Sequence, residues 1–214
     1  MKSSYYKYFA ALLLFGSNGI VASNINLPSY EIVLLRLLLG SLFLITVFTV
    51  SRQRFTFYRN KHTCLYLFIS ASAMGASWML LYEAYQQVGV SIASLAYYCG
   101  PVIVMILSPF LFRETLTWPK IAGFLTVLAG MCLVNLQALD EGKTIWGLFC
   151  GLMSAFMYAL MVTANKKAKP ESGLENSLLQ LVIGSFIVVA FVSMQKNFVL
   201  SLTTIDWIPV LLLG

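Results

Sequence analysis

The chain has 214 residues, of which 59% are hydrophobic and only 10% are charged, and its formal net charge is +6. This composition leaves too little polar surface to coat a water-soluble globule, so it predicts an all-α, polytopic membrane protein. The basic residues lie in loops between apolar runs, which indicates membrane orientation and argues against a nucleic-acid partner.

The first apolar run, at about 7–24, is segment 1. It follows Lys2 and Lys7 and ends near Val21, Ala22 and Ser23, a pattern that a cleaved secretory signal shares. We interpret it as a membrane segment, because an internal repeat would otherwise lose one helix from its first copy. Asn18 is a polar residue within this apolar run, and we expect it either to form a hydrogen bond with a neighbouring helix or to contact a solute.

Six further apolar runs are each long enough to cross a hydrocarbon core about 30 Å thick. These are segments 2 to 7, at about 30–50, 63–87, 90–112, 119–137, 144–165 and 175–194. An eighth run, Asp206 to Gly214, would form only about 13 Å of helix. We therefore expect seven full transmembrane helices and the start of an eighth in a truncated chain, whose complete length would be roughly 280 residues.

Segment 2 recurs in segment 7. Leu34 to Ile45 matches Leu178 to Val189 without a gap at an offset of 144 residues. Because leucine identities are common in membrane helices, the repeated Gly40-Ser41 pair is the more informative part of the match. It predicts a duplicated unit, in which these two small residues admit a neighbouring helix.

The duplication divides the chain into a first unit at 1–137 and an incomplete second unit at 144–214. Five helices per unit would start the second unit from the opposite side of the membrane, so segment 7 would run antiparallel to segment 2. This is an inverted repeat, an arrangement found in secondary transporters. Basic residues number eleven on one side and two on the other, which predicts a cytoplasmic N-terminus in the cytoplasmic membrane.

Arg36 is the charged residue inside segment 2, and such a charge costs roughly 2.5 to 3.5 kcal/mol near the middle of a bilayer. Glu83, near the outer end of segment 3, is a candidate ion-pair partner, although it could simply be solvated. Glu31 is a poorer candidate, because five residues on a helix turn its side chain about 140° away. The repeat aligns Arg36 with the uncharged Gln180, so the charge is not needed by both copies.

Segment 3 carries Trp78, Tyr82 and Tyr85 at the i, i+4 and i+7 positions of one helix face. Two interpretations stay open for this face: an interfacial aromatic belt or the wall of a cavity. In segment 4, Pro101 is expected to kink the helix, with or without contact to a ligand.

Signatures of catalysis are missing from the sequence. It has no Gly-rich phosphate loop, no HExxH motif, no paired intramembrane carboxylates, a single histidine and no CxxC pair. We therefore expect neither an enzyme nor a cofactor or metal site.

The stretch from Val90 to Val134 resembles the fourth and fifth helices of EamA-type transporters in the drug/metabolite transporter superfamily. The matching features are small residues that open segment 4, Pro101 in its middle, Glu114 in a short loop, and Gly123 and Gly130 in segment 5. The segment 6 region from Gly147 to Lys169 is similar to the start of the family's second domain.

The resemblance implies two inverted five-helix repeats, both termini in the cytoplasm, and a cavity lined by the first, third and fourth helices of each repeat. Segment 1 lacks the glutamate that small multidrug-resistance relatives use. Arg36 matches a more peripheral helix, so a structural role is expected for it. The substrate-binding residues implied are Asn18, Trp78, Tyr82, Tyr97, Pro101 and Tyr158.

These observations predict a secondary transporter that exports small metabolites, amino acids or drug-like compounds by alternating access. Its partners would be a small-molecule solute and the lipid bilayer, and a homodimer is left open. The alternative is a membrane receptor or assembly subunit that transports nothing.

Overall fold

The computed structural model describes residues 29–53, 55–113, 115–135, 145–168 and 172–193, together with Tyr6 and Phe9. No strand occurs among these residues, which agrees with the predicted all-α class. Predicted segment 1 with Asn18, and the eighth run at 206–214, lie outside the described residues. A 3-10 turn at Phe57–Arg59 precedes the second helix, and the helices are α1 Ser29–Val50, α2 Lys61–Tyr97, α3 Cys99–Phe112, α4 Trp118–Asn135, α5 Ile145–Ala168 and α6 Gly173–Ser193.

Four stretches of the described chain are long and apolar enough to cross a membrane: Glu31–Val50, Lys61–Phe112, Ile145–Ala168 and Gly173–Ser193. The chain is therefore a multi-pass helical membrane protein. Lys61–Phe112 has 52 residues, and at 1.5 Å per residue a straight helix of that length would be more than twice as long as the hydrocarbon core is thick. The stretch must therefore bend or break.

Gly89 is where α2 reverses direction. Its φ of 79° and ψ of 160° lie outside the helical region, and the positive φ is one that glycine adopts without strain. Residues before and after Gly89 contact each other: the Ser94 hydroxyl lies 3.5 Å from the Tyr85 hydroxyl, and Tyr97 interacts with Ser77. Thus α2 is a helical hairpin, and it turns between the predicted end of segment 3 and the predicted start of segment 4.

A second interruption separates α2 from α3. Tyr98 ends α2, and α3 begins at Cys99, so Pro101 occupies the first turn of a new helix. A proline there leaves no hydrogen bond unmade, since the first N–H groups of a helix have no partner within it. This interruption lies in the turn before Pro101, which is where a proline kinks a helix, so it agrees with the kink expected in segment 4. Pro109 is the proline inside α3.

Paired serine hydroxyls hold α2 against α5. Ser77 donates to the Ser154 carbonyl over 2.9 Å, and Ser154 donates to the Ser77 carbonyl over 2.7 Å. Two turns away, Ser70 donates to the Met161 carbonyl over 3.0 Å. From Ser70 to Ser77 the chain advances seven residues along α2, while the partner on α5 changes from Met161 to Ser154, seven residues earlier. The two helices are therefore antiparallel and keep one register. We call these contacts the serine pairs.

Glycines on α5 allow this close approach. A Cβ added at Gly147 would lie 2.6 Å from the Val88 side chain, and one at Gly151 would lie 2.8 Å from the Ala96 Cβ. Such distances are shorter than carbon atoms tolerate. These small residues therefore serve helix packing.

Helices α1 and α6, which carry the sequence repeat, also pack against each other. Leu34 and Leu37 near the start of α1 share a core cluster with Val188 and Val192 near the end of α6, so the two helices run antiparallel. Ser41 and Ser185, at equivalent positions of the repeat, donate to the carbonyls of Leu38 and Val182, three residues earlier in each case. The buried Gly184 lies against the Met74 side chain of α2.

A buried carboxylate joins the start of α6 to the connection that follows α1. Glu175 accepts hydrogen bonds from the Thr56 amide and hydroxyl, both at 2.6 Å, and from the Phe57 amide at 2.9 Å. Beside it, Ser172 donates to Gln53 over 3.0 Å. We call this set of contacts the Glu175 clasp.

Basic residues gather at the same end of the bundle as the Glu175 clasp. Lys167 lies 5.9 Å from the ring of Tyr66, near the start of α2. Lys166 lies 4.3 Å from the ring of Phe112, near the end of α3. The last turn of α5, which carries both lysines, therefore lies beside the start of α2 and the end of α3, and we call this end of the molecule the basic end.

Candidate functional site

Arg36 contacts two aromatic side chains of α2. Its Nη1 donates to the Tyr82 hydroxyl over 2.9 Å, and its guanidinium carbon lies 4.3 Å from the centroid of the Trp78 ring. Trp78 and Tyr82 are one helical turn apart and therefore share a face. The cation of α1 is thus held by a cation–π contact and by a hydrogen bond, both from α2.

The aromatic contacts continue from Tyr82 across the hairpin. The rings of Tyr82 and Tyr85 are 5.4 Å apart, and the Tyr85 hydroxyl lies beside Ser94 of the second arm. On that arm, the Tyr97 ring lies 5.3 Å from the ring of Tyr158 on α5. This line of side chains, the aromatic row, consists of Trp78, Tyr82, Tyr85, Tyr97 and Tyr158.

The aromatic row lies in the interior of the protein. Tyr82 is 3% exposed and Tyr97 is 8% exposed, while Trp78 and Tyr85 pack against the core cluster shared by α1 and α6. An interfacial belt would present its rings to lipid and headgroups. Tyr82 and Tyr97 therefore do not belong to such a belt, and the cavity-wall interpretation stays a prediction.

The structure brings four of the implied substrate-binding residues into this one row: Trp78, Tyr82, Tyr97 and Tyr158. Pro101 lies next to it, because its neighbour Gly100 packs against the Tyr158 ring so closely that an added Cβ would come within 2.7 Å of Cδ1. Asn18 falls outside the described residues.

Pro101 also lines a cleft of about 270 Å³ that opens toward the basic end. The cleft lies between α3, the start of α4 and the end of α5. Its walls are mostly apolar, and their polar groups are the hydroxyls of Ser108 and Thr115 and the ammonium groups of Lys120 and Lys166. Its lining includes Pro101, Met105, Ser108, Phe112, Lys120 and Lys166.

The carboxylates considered as partners of Arg36 have other surroundings. Glu83 accepts a hydrogen bond from Gln87 over 3.1 Å, so the proposed Arg36–Glu83 pair stays a prediction. Glu31 is 2% exposed, and its Oε2 atom has no hydrogen-bond partner in the part of the chain that the structure describes.

Sequence reasoning did not identify the aromatic partners of Arg36 or the serine pairs. A signal for the first was available: the intramembrane cation needs a partner, and Trp78 and Tyr82 present a one-turn aromatic pair on the next helix. No comparable signal existed for Ser77 and Ser154, because small residues at helical spacing indicate close packing but not which helices pair.

Comparison with known proteins agrees with the transporter interpretation. The model of the EamA-like transporter family matches residues 3–136. A curated protein of Bacillus subtilis (strain 168), "Uncharacterized transporter YxxF", is 26% identical over 193 residues. The alignment covers 87% of this chain and 61% of that relative, so this chain spans less than two thirds of the relative's length. No solved structure matches the chain.

Proposed function

The chain belongs to the EamA-like transporter family, and from that premise we propose that the complete protein is a secondary transporter. It exports small metabolites, amino acids or drug-like compounds across the cytoplasmic membrane. The aromatic row is the observation that carries this proposal, because its side chains come from both arms of α2 and from α5, and Arg36 of α1 contacts it. Residues on several helices that converge on one interior line can hold a solute.

Alternating access is supported by the arrangement of α1 and α6. The two helices carry the sequence repeat, pack antiparallel and share the serine back-bond at Ser41 and Ser185. An inverted pair of five-helix units, 1–137 and a second unit starting at 144, accounts for this arrangement.

A path for the solute follows from the cleft at the basic end. We take this end as cytoplasmic, since loops rich in Lys and Arg stay on that side. The solute enters the cleft beside Phe112 and passes Pro101. It then reaches Tyr158 and Tyr97, where the aromatic row begins.

The test is solute flux by the complete protein in proteoliposomes, with a panel of amino acids, carboxylates, amides and organic cations. For a transported solute, Tyr158→Leu is expected to lower the initial rate roughly tenfold, because it removes an aromatic contact from the row. Tyr58→Leu is the matched control, since Tyr58 is 68% exposed in the connection after α1. It is expected to leave the rate unchanged.

Two outcomes would contradict the proposal. Equal rates for the Tyr158 variant and the wild type would remove the aromatic row from the solute path. No flux of any solute by folded, complete protein would favour a receptor or assembly subunit.

A further inference from the structure

The charge of Arg36 is not neutralised by the contacts it makes. The Tyr82 hydroxyl is a neutral acceptor, and the Trp78 ring is uncharged. No carboxylate forms an ion pair with Arg36 within the described ranges. The guanidinium therefore keeps a full positive charge between the buried Tyr82 and the half-buried Trp78.

Most of the donor capacity of Arg36 is also unused. A guanidinium carries five N–H donors in a planar fork, and the Tyr82 hydroxyl takes one of them. A cation–π contact uses the face of the ring and consumes no N–H. Four donors are thus left over among the described contacts, and two adjacent N–H groups of such a fork fit both oxygens of a carboxylate.

We propose that Arg36 selects monoanionic, carboxylate-bearing solutes, whose apolar part lies along the aromatic row. The inference rests on the proposed transport function and names the substrate class of that same site. One cation neutralises one carboxylate, whereas a dianionic phosphate would leave a net negative charge in the apolar interior. Arg36 thereby becomes a specificity residue, in contrast to the structural role expected from the sequence.

Proximity to the aromatic row supports this assignment. Arg36 contacts Trp78 and Tyr82, and Tyr85 follows at 5.4 Å from Tyr82. A solute anchored on the guanidinium would extend its body along these rings. An aromatic or aliphatic carboxylic acid has this shape, with the charge at one end and the apolar surface at the other.

The test compares two probes of the same size, N-acetylphenylalanine and its primary amide, on the complete protein. Binding is followed by the change in tryptophan fluorescence on titration, and flux is followed in proteoliposomes. We expect the carboxylate to bind and move at least about tenfold better than the amide, because a site built to pair with an ionised group rejects its neutral analogue. Trp78→Phe identifies the part of the fluorescence change that comes from the stacked ring.

Variants at position 36 separate selectivity from stability. Arg36→Gln should abolish the preference for the carboxylate, and Arg36→Lys should restore part of it, because a lysine keeps the charge but lacks the fork. Arg52→Gln, an exposed change in the connection after α1, should leave the preference intact. Should Arg36→Gln fail to fold, the wild-type ratio and the lysine variant still decide the question.

The outcomes are distinguishable from a failure of the transport proposal. Carboxylate-selective binding without flux supports the assignment of Arg36 and contradicts transport. Flux of both probes at equal rates overturns the selectivity of Arg36 and leaves transport standing. Binding of neither probe, or a preference that survives Arg36→Gln, also overturns the inference.

Discussion

At the scale of single residues, the surroundings of Arg36 explain how a charge is tolerated inside an apolar helix. Placing an arginine near the middle of a bilayer costs about 2.5 to 3.5 kcal/mol. A desolvated cation–π contact is worth about 2 kcal/mol, and a hydrogen bond to a charged group is worth about 1.5 to 3 kcal/mol. The contacts with Trp78 and Tyr82 are thus large enough to offset the cost without an ion pair.

This comparison of magnitudes predicts that Tyr82→Phe destabilises the protein. The change removes the acceptor for the Arg36 Nη1 donor and should cost about 1.5 to 3 kcal/mol, which lowers the melting temperature by about 5 °C. Glu83→Gln should cost less, because the described contacts of Arg36 go to the aromatic residues. Tyr58→Phe, at an exposed position, is the control.

Thermal unfolding of the purified complete protein measures all three variants. A larger drop for Glu83→Gln than for Tyr82→Phe would establish the ion pair that the sequence predicted and would make the tyrosine contact secondary.

At the scale of helices, the contact between α2 and α5 depends on the absence of side chains. Gly151 faces Ala96 and Ala84, so both arms of the α2 hairpin meet α5 at this glycine. Residues with larger side chains would push both arms away and stretch the serine pairs, which are buried and have no water to replace them.

We therefore expect Gly151→Ala to lower the stability of the protein by about 1 to 3 kcal/mol, as overpacking does. Gly123→Ala is the matched control on α4, because no described atom lies within 4 Å of its added Cβ. That change should be neutral or slightly stabilising, since alanine favours a helix over glycine. Melting temperatures measure both, and equal losses would contradict the packing role of Gly151.

Helix positions could be predicted from the sequence better than helix partners. The apolar runs predicted α1 and α6, and the interruption near Gly89 predicted the turn of the hairpin. Spacing also placed Trp78 and Tyr82 on one face. The interruption before α3 lies in the turn that precedes Pro101, where a proline kinks a helix. The aromatic partners of Arg36 depend on how helices rotate against each other, which hydrophobic periodicity alone does not encode.

At the scale of the whole molecule, the Glu175 clasp is a junction between the two predicted units at the basic end. It bonds the start of α6 to the segment after α1, which belongs to the other predicted unit. Three donors on one buried carboxylate make a strong junction, because hydrogen bonds to charged acceptors exceed those between neutral groups. Separating the start of α6 from that segment requires these bonds to break.

Glu175→Gln is expected to loosen this junction. The amide nitrogen can take the place of Oε2 and donate to the Thr56 hydroxyl, but the oxygen that accepts from the Thr56 and Phe57 amides loses its negative charge, which weakens both hydrogen bonds. Hydrogen exchange of the Thr56 and Phe57 amides should then become roughly tenfold faster. Ser177→Ala, an exposed change in the first turns of the same helix, is the control and should leave the exchange unchanged. Unaltered exchange rates in the Glu175 variant would mean that the clasp does not stabilise this junction.

The serine pairs also bear on how such a molecule can move. They tie α2 to α5 near the middle of both helices, whereas Val88 and Gly147 mark the far end, eleven residues or about 16 Å beyond Ser77. If α2 and α5 rotate relative to each other about these central contacts, the largest displacements occur at the helix ends. Val88 already lies against Gly147 while the Glu175 clasp is formed, so a bulky residue at position 147 should wedge these helix ends apart even where it leaves the aromatic row untouched.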